Sequence, residues 1–125
     1  MQPTIYLYNL KSEKGQQIEL LCVKLHVACR HVNVADYGKT IGYIAEIEGF
    51  TAEEKMSQFT PFEDEMLLFK GFDQEMLTTF LAEYRQAGIA TIPLKAGLTP
   101  TNVQWSSIEL QAELSEEHRA FNQQQ

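Results

Sequence analysis

Apolar residues along the chain fall into two successions of the same kind: a short strand-like run, a longer stretch with helical spacing, then a second short run. The first takes in Thr4 to Leu10, Gln16 to Val27 and Arg30 to Val34, and the second Glu65 to Phe72, Gln74 to Ala87 and Ala90 to Leu94. From Thr4 to Leu10 the side chains alternate, Ile5, Leu7 and Asn9 against Tyr6, Tyr8 and Leu10, which is the period of a strand. Ile18, Leu21, Cys22 and Leu25 are spaced to share one helix face, with Gly15 weakening the first turn. Cys29 to Val34 alternates again. Met66-Leu67-Leu68-Phe69 is continuous instead, which predicts a strand covered on both sides at the centre of a sheet. Asp73 then has the chemistry of a helix cap, Met76, Leu77, Phe80, Leu81 and Tyr84 share a face, and Gly88 closes the helix. Pro93, without an N–H, pushes the last run towards a sheet edge or an early end of pairing.

The remaining segments are shorter. Asp36-Tyr37-Gly38-Lys39 reads as a turn, and Ile41, Ile44 and Ile47 predict a short helix after it despite Gly42. Thr51-Ala52-Glu53-Glu54 has the spacing of a helix capping box, and Pro61 would interrupt anything it starts, so residues 50–64 read as a connector. Phe50, Phe59 and Phe62 predict that this connector is packed, since burying such a side chain is worth about 1.5 to 3 kcal/mol. Ser106-Ser107-Ile108-Glu109 is the clearest capping box in the chain, with Trp105 placed to staple onto Leu110. Ile108, Leu110, Leu114 and Phe121 would be the apolar contacts of that helix, and Asn122-Gln123-Gln124-Gln125 has nothing to bury and is expected to fray.

Two β-α-β units predict one domain over residues 1–125, with an internal pseudo-repeat of 4–49 and 65–121. The expected class is α+β: a four-stranded sheet of ferredoxin-like kind, the two long helices on one face, and additional helices from Thr40 and from Ser107. The alternative is a three-layer α/β arrangement with a mixed sheet, in which the extra helices cover the opposite face. The doubly apolar run Met66 to Phe69 speaks for the alternative.

Hydrophobic residues at 44% and charged residues at 22% are ordinary for a folded domain, so neither a disordered nor a fibrous chain is expected. A net charge of -7, with no basic cluster carrying interleaved aromatics, argues against nucleic acid as a partner. No run approaches the roughly 18 apolar residues of a membrane span, and Met1-Gln2-Pro3 lacks the character of an export signal. A cytoplasmic protein without a membrane partner is the expectation, with Cys22 and Cys29 as reduced thiols.

Candidate chemistry concentrates in the polar loop from residue 95 to 105, between a strand and a well-capped helix, where free amides and the helix dipole favour an anion. Lys95, Thr99, Thr101, Asn102 and Trp105 are the candidate ligand-binding residues. The same Thr-Pro-Thr-Asn run is also good turn chemistry, its side chains satisfying the loop backbone. Leu94-Lys95-Ala96, Leu98-Thr99-Pro100-Thr101-Asn102, Trp105 and Leu110, within Met66 to Phe121, resemble a small bacterial domain family of unknown function, frequent in Firmicutes. The resemblance implies a bacterial cytoplasmic protein and carries over no catalytic role. Elsewhere Cys22, His26, Cys29 and His31 offer four potential metal ligands within ten residues, but not at the spacing of a familiar zinc module; no metal and no cofactor are expected. The carboxylates from Glu46 to Glu65 look uniformly solvated, and His118 reads as a surface residue. Without a Gly-rich phosphate loop, G-x-S-x-G or H-E-x-x-H, an enzyme ranks behind two binding readings. The first is a non-enzymatic module for a protein partner or self-association, helped by apolar side chains around Tyr37, Tyr43 and Phe50. The second is a small-molecule or anion-binding regulatory domain using the 95–105 loop.

Overall fold

The computed structural model describes residues 2–123. Strand β1 (Thr4–Tyr8) leads into helix α1 (Glu13–Lys24) and strand β2 (Ala28–His31), after which a single short helix, α2 (Ile41–Ile44), precedes the connector. Strand β3 (Met66–Lys70), helix α3 (Gln74–Gln86), strand β4 (Leu94–Gly97) and helix α4 (Ser107–Gln123) complete the chain. The sheet order is β2-β1-β3-β4. Helices α1 and α3 each cross between neighbouring parallel strands, β1 with β2 and β3 with β4, and the two units meet through the antiparallel β1–β3 pair, where Ile5 faces Phe69 and Leu7 faces Leu67. The result is a mixed four-stranded sheet of the α+β class.

Both faces of the sheet are buried. On one, Ile5 and Leu7 of β1 and Leu67 and Phe69 of β3 pack against Ile18, Leu21 and Cys22 of α1 and Phe80 and Tyr84 of α3. On the other, Tyr6, Tyr8, Met66 and Leu68 meet Ile41 of α2, Leu110 of α4 and the connector's Phe59 and Phe62. The additional helices thus cover the opposite face, the layering of the three-layer alternative. The unbroken run Met66 to Phe69 follows from this: alternate residues of a central strand enter different cores.

Several boundaries differ from the sequence expectation. Asn9 adopts a left-handed backbone (φ 59°), which breaks the β1 alternation and sends Leu10 into the α1–α3 core instead of the opposite face. Helix α1 starts earlier than expected because Ser12 caps it, accepting from the Gly15 amide at 3.3 Å. Gly15 is there for contact, not for freedom: a Cβ would lie 1.6 Å from the Leu10 carbonyl oxygen. Strand β2 ends at His31, where Asn33 caps a 3₁₀ turn over Val34–Asp36. Strand β4 begins at Leu94, directly after Pro93, and not near Ile89. Thr51–Glu54 starts no helix; Glu54 instead forms an isolated bridge with Lys39.

The connector is packed as its phenylalanines required. Phe62 stacks on Tyr37 at 4.8 Å and lies 5.9 Å from Tyr8, while the Phe50 ring fills the space beside Gly42, where a Cβ would meet it at 2.5 Å. Asn9 ties the connector to the end of β1, donating to the Phe62 and Asp64 carbonyls (2.9 Å each) and accepting from the Tyr37 hydroxyl at 3.0 Å. The capping box of α4 forms in both directions: the Glu109 amide donates to Ser106 Oγ at 3.1 Å, and the Ser106 amide donates to Glu109 Oε1 at 2.9 Å. Phe121 is exposed, so it contributes no core contact, and Gln124 and Gln125 of the tail lie outside the described residues.

Candidate functional site

The loop after β4 is held together by its own polar groups. Asn102, 6% exposed, accepts from the Thr99 amide at 2.9 Å and donates through Nδ2 to the Gly97 carbonyl at 2.9 Å, while its own amide donates to Thr99 Oγ1 at 2.9 Å. Thr101 is exposed and makes no side-chain cap. Trp105, half-buried, packs against the core that Leu110 of α4 enters, and its carbonyl accepts from the Ile41 amide at 2.7 Å, which ties the loop to α2. Lys95 belongs to β4 and not to the loop. Its side chain lies on the α3 side of the sheet, where it lines a cavity with Tyr84 and Ile92 and donates to the Ile92 carbonyl. Of the five candidate residues, Thr99 and Asn102 are brought together, Thr101 and Trp105 flank them, and Lys95 is turned away.

Around α1 and β2, the four potential metal ligands are distributed between separate settings. Cys22, buried, and Cys29, half-buried, both belong to the α1–α3 core, and their thiols interact. That contact lowers the Cys29 thiol below its ordinary value and, with burial, raises the Cys22 thiol. His26 follows α1 with a left-handed backbone (φ 58°), before β2 begins, whereas His31 ends β2 and donates from Nε2 to Glu19 Oε1. Among the described residues no group of three or more His, Cys, Asp or Glu side chains is placed to hold a metal ion.

The two sheet edges differ. The Ala28 and Val32 amides donate to Pro3 and Leu7 of the β1 segment at 2.9 Å, so by the period of a strand the backbone groups of Cys29 and His31 point away from the sheet. Among the described residues they have no backbone partner. Beside this edge stands α1: Glu19 reaches His31, and Val23, one turn further along the same flank, is 73% exposed. Arg30 is exposed and makes no ion pair within 4 Å among the described residues. At the other edge Pro93 precedes β4 and Asn102 occupies the outward Gly97 carbonyl, so the outward backbone groups of Lys95 lie between a residue without an N–H and a carbonyl already taken. An unpaired strand edge is visible only once the order of strands is known, and no periodicity in residues 28–31 marks it. Tyr37, expected among the exposed apolar groups, is fully buried, and Tyr43 and Phe50 are half-buried; among the described residues Leu20, Val23, Val34 and Phe121 are the exposed large apolar side chains.

Residues 65–121 match the model of a family described as a domain of unknown function (DUF3783). The match begins one residue before β3 and runs into α4, so it takes in the second β-α-β unit, the capped loop and the Lys95 cavity, and leaves β1, α1 and β2 outside. This is the segment in which the sequence resembles an uncharacterised domain family. No curated protein and no solved structure matches the chain. No helix among the described residues is long and apolar enough to cross a membrane.

Proposed function

We propose that the protein is a non-enzymatic interaction module that takes an extended segment of a partner protein as an added strand along β2. The observation that carries this reading is the open edge itself: outward backbone groups at Cys29 and His31, flanked by exposed Val23, on a sheet whose other edge is blunted. Backbone hydrogen bonds would supply affinity, and side chains alternating along the added strand would supply specificity. A segment with an acidic residue opposite Arg30 fits best, because Arg30 is exposed and unpaired at the middle of the edge. A second copy fits less well. Antiparallel pairing that used the outward groups of Cys29 and His31 would set Arg30 directly opposite its twin, and like charges opposed across strands are destabilising.

Hydrogen exchange read by NMR tests the proposal directly. In the isolated protein the Cys29 and His31 amides should exchange much faster than those of β1 and β3. A short β-branched peptide with a central glutamate should protect them and shift Val23, and Arg30→Glu should transfer the preference to the matching lysine peptide. Slow exchange at both amides in the monomer would overturn the reading, as would peptide-induced shifts that avoid β2. A dimer in solution with both amides protected would replace it by self-association.

A further inference from the structure

On the α3 side of the sheet, far in sequence from the β2 edge, lies a cavity of about 290 Å³. Leu67 of β3, Leu81 of α3 and Ile92 give it an apolar lining, Tyr84 adds a ring, and Lys95 and Arg85 bring two cationic groups. The Tyr84 hydroxyl is already committed, donating to the Ala90 carbonyl at 2.6 Å. Lys95 is not. Its half-buried ammonium has three N–H donors, and the protein partner within reach is the Ile92 carbonyl. Lys14 and Lys39, also half-buried, each meet a carboxylate, Glu65 at 2.6 Å and Asp36 at 2.8 Å. Among the described residues none of the carboxylates forms an ion pair with Lys95 or Arg85, in a chain that carries 17 of them.

A partly desolvated ammonium without a counter-ion is costly, and burial lowers the Lys95 ammonium below its ordinary value. The cost is offset when an anion enters the cavity. Phosphate would gain the charge but waste the apolar lining, whereas a carboxylate on a hydrocarbon body uses both. The volume lies at the lower end of the range for small-molecule pockets, which suits a small ligand.

We propose that this cavity binds a small organic carboxylate, its charged end on Lys95 and Arg85 and its apolar body against Leu67, Leu81 and Ile92. The site is independent of the strand-addition reading, since it shares no residue with β2 or α1.

Phenylacetate, phenylacetamide and inorganic phosphate, titrated separately at millimolar concentration into the ¹⁵N-labelled protein, provide the test. Phenylacetate should give saturable shifts at Leu67, Leu81, Thr91 and Ile92, and phenylacetamide should bind at least tenfold more weakly. Lys95→Met, which keeps most of the side-chain volume, should lose the same factor or more, and Leu81→Trp, which fills the cavity and keeps both cations, should also abolish binding. The second variant preserves the test if the first fails to fold. Equal binding of acid and amide would overturn the proposal, as would shifts by phosphate alone, unchanged affinity in Leu81→Trp, or no saturable shift with phenylacetate.

Discussion

Replacing Asn102 by alanine separates a structural from a ligand-binding role for the loop after β4. The substitution removes two side-chain hydrogen bonds, one from the Thr99 amide and one to the Gly97 carbonyl. At about 1 kcal/mol per bond the expected loss is about 2 kcal/mol; Thr99 and Gly97 are both exposed, so water can reach the freed groups and the full penalty of a buried orphan is avoided. Thr99→Ala removes one bond, the acceptor for the Asn102 amide, and should cost about 1 kcal/mol. Thr101→Ala removes no side-chain hydrogen bond from an exposed position and should stay within about 0.5 kcal/mol of the parent. Urea unfolding followed by fluorescence of Trp105, the single tryptophan, reads the series. With a slope of about 2 kcal/mol per molar, Asn102→Ala should lower the midpoint by about 1 M. For 125 residues the same loss corresponds to roughly 8 °C in Tm. Residues kept for a ligand commonly cost stability, so their removal is neutral or stabilising. An Asn102→Ala protein as stable as the parent, or a Thr101→Ala protein equally damaged, would refute the account of a self-satisfied loop.

Gly15→Ala should destabilise the protein by about 2 kcal/mol or more, although alanine gains up to about 1 kcal/mol in an ordinary helix, because the new Cβ would meet the Leu10 carbonyl oxygen at 1.6 Å. A rise in Tm would show that α1 does not press on the β1–α1 turn. At alkaline pH, burial raises the Tyr8 phenol well above its ordinary value and the Tyr84 phenol to about 12. The folded state therefore favours the neutral phenols, their contribution is fully present below about pH 10, and it is lost as pH rises through the folded values. The part of the phenolate absorbance that belongs to Tyr8 and Tyr84 should consequently appear late and together with loss of circular dichroism; ionisation of both in the ordinary range in a still-folded protein would contradict this.

How much of the molecule was legible in the sequence depends on the range of the interactions involved. The capped starts of α3 and α4 and the two crossover units are set by residues a few positions apart, so Asp73, Ser106 and Glu109 could be read directly. Ser12 carries the same chemistry but was obscured by Gly15, whose reason lies in a contact with Leu10. Asn9 looked like an ordinary strand residue; its left-handed backbone is held by Tyr37, Phe62 and Asp64, the last two more than fifty residues away.

The sequence by itself determined which segments pair a strand with a helix and which side chains must leave water, because hydrophobic periodicity and capping are local properties. Only the tertiary structure decided that α2, the connector and α4 close the second face of the sheet, that Lys95 opens into an apolar cavity instead of the loop, and that β2 is left as an open edge. Those outcomes depend on which strands become neighbours, and the free energy that selects them comes from contacts between residues far apart in the chain.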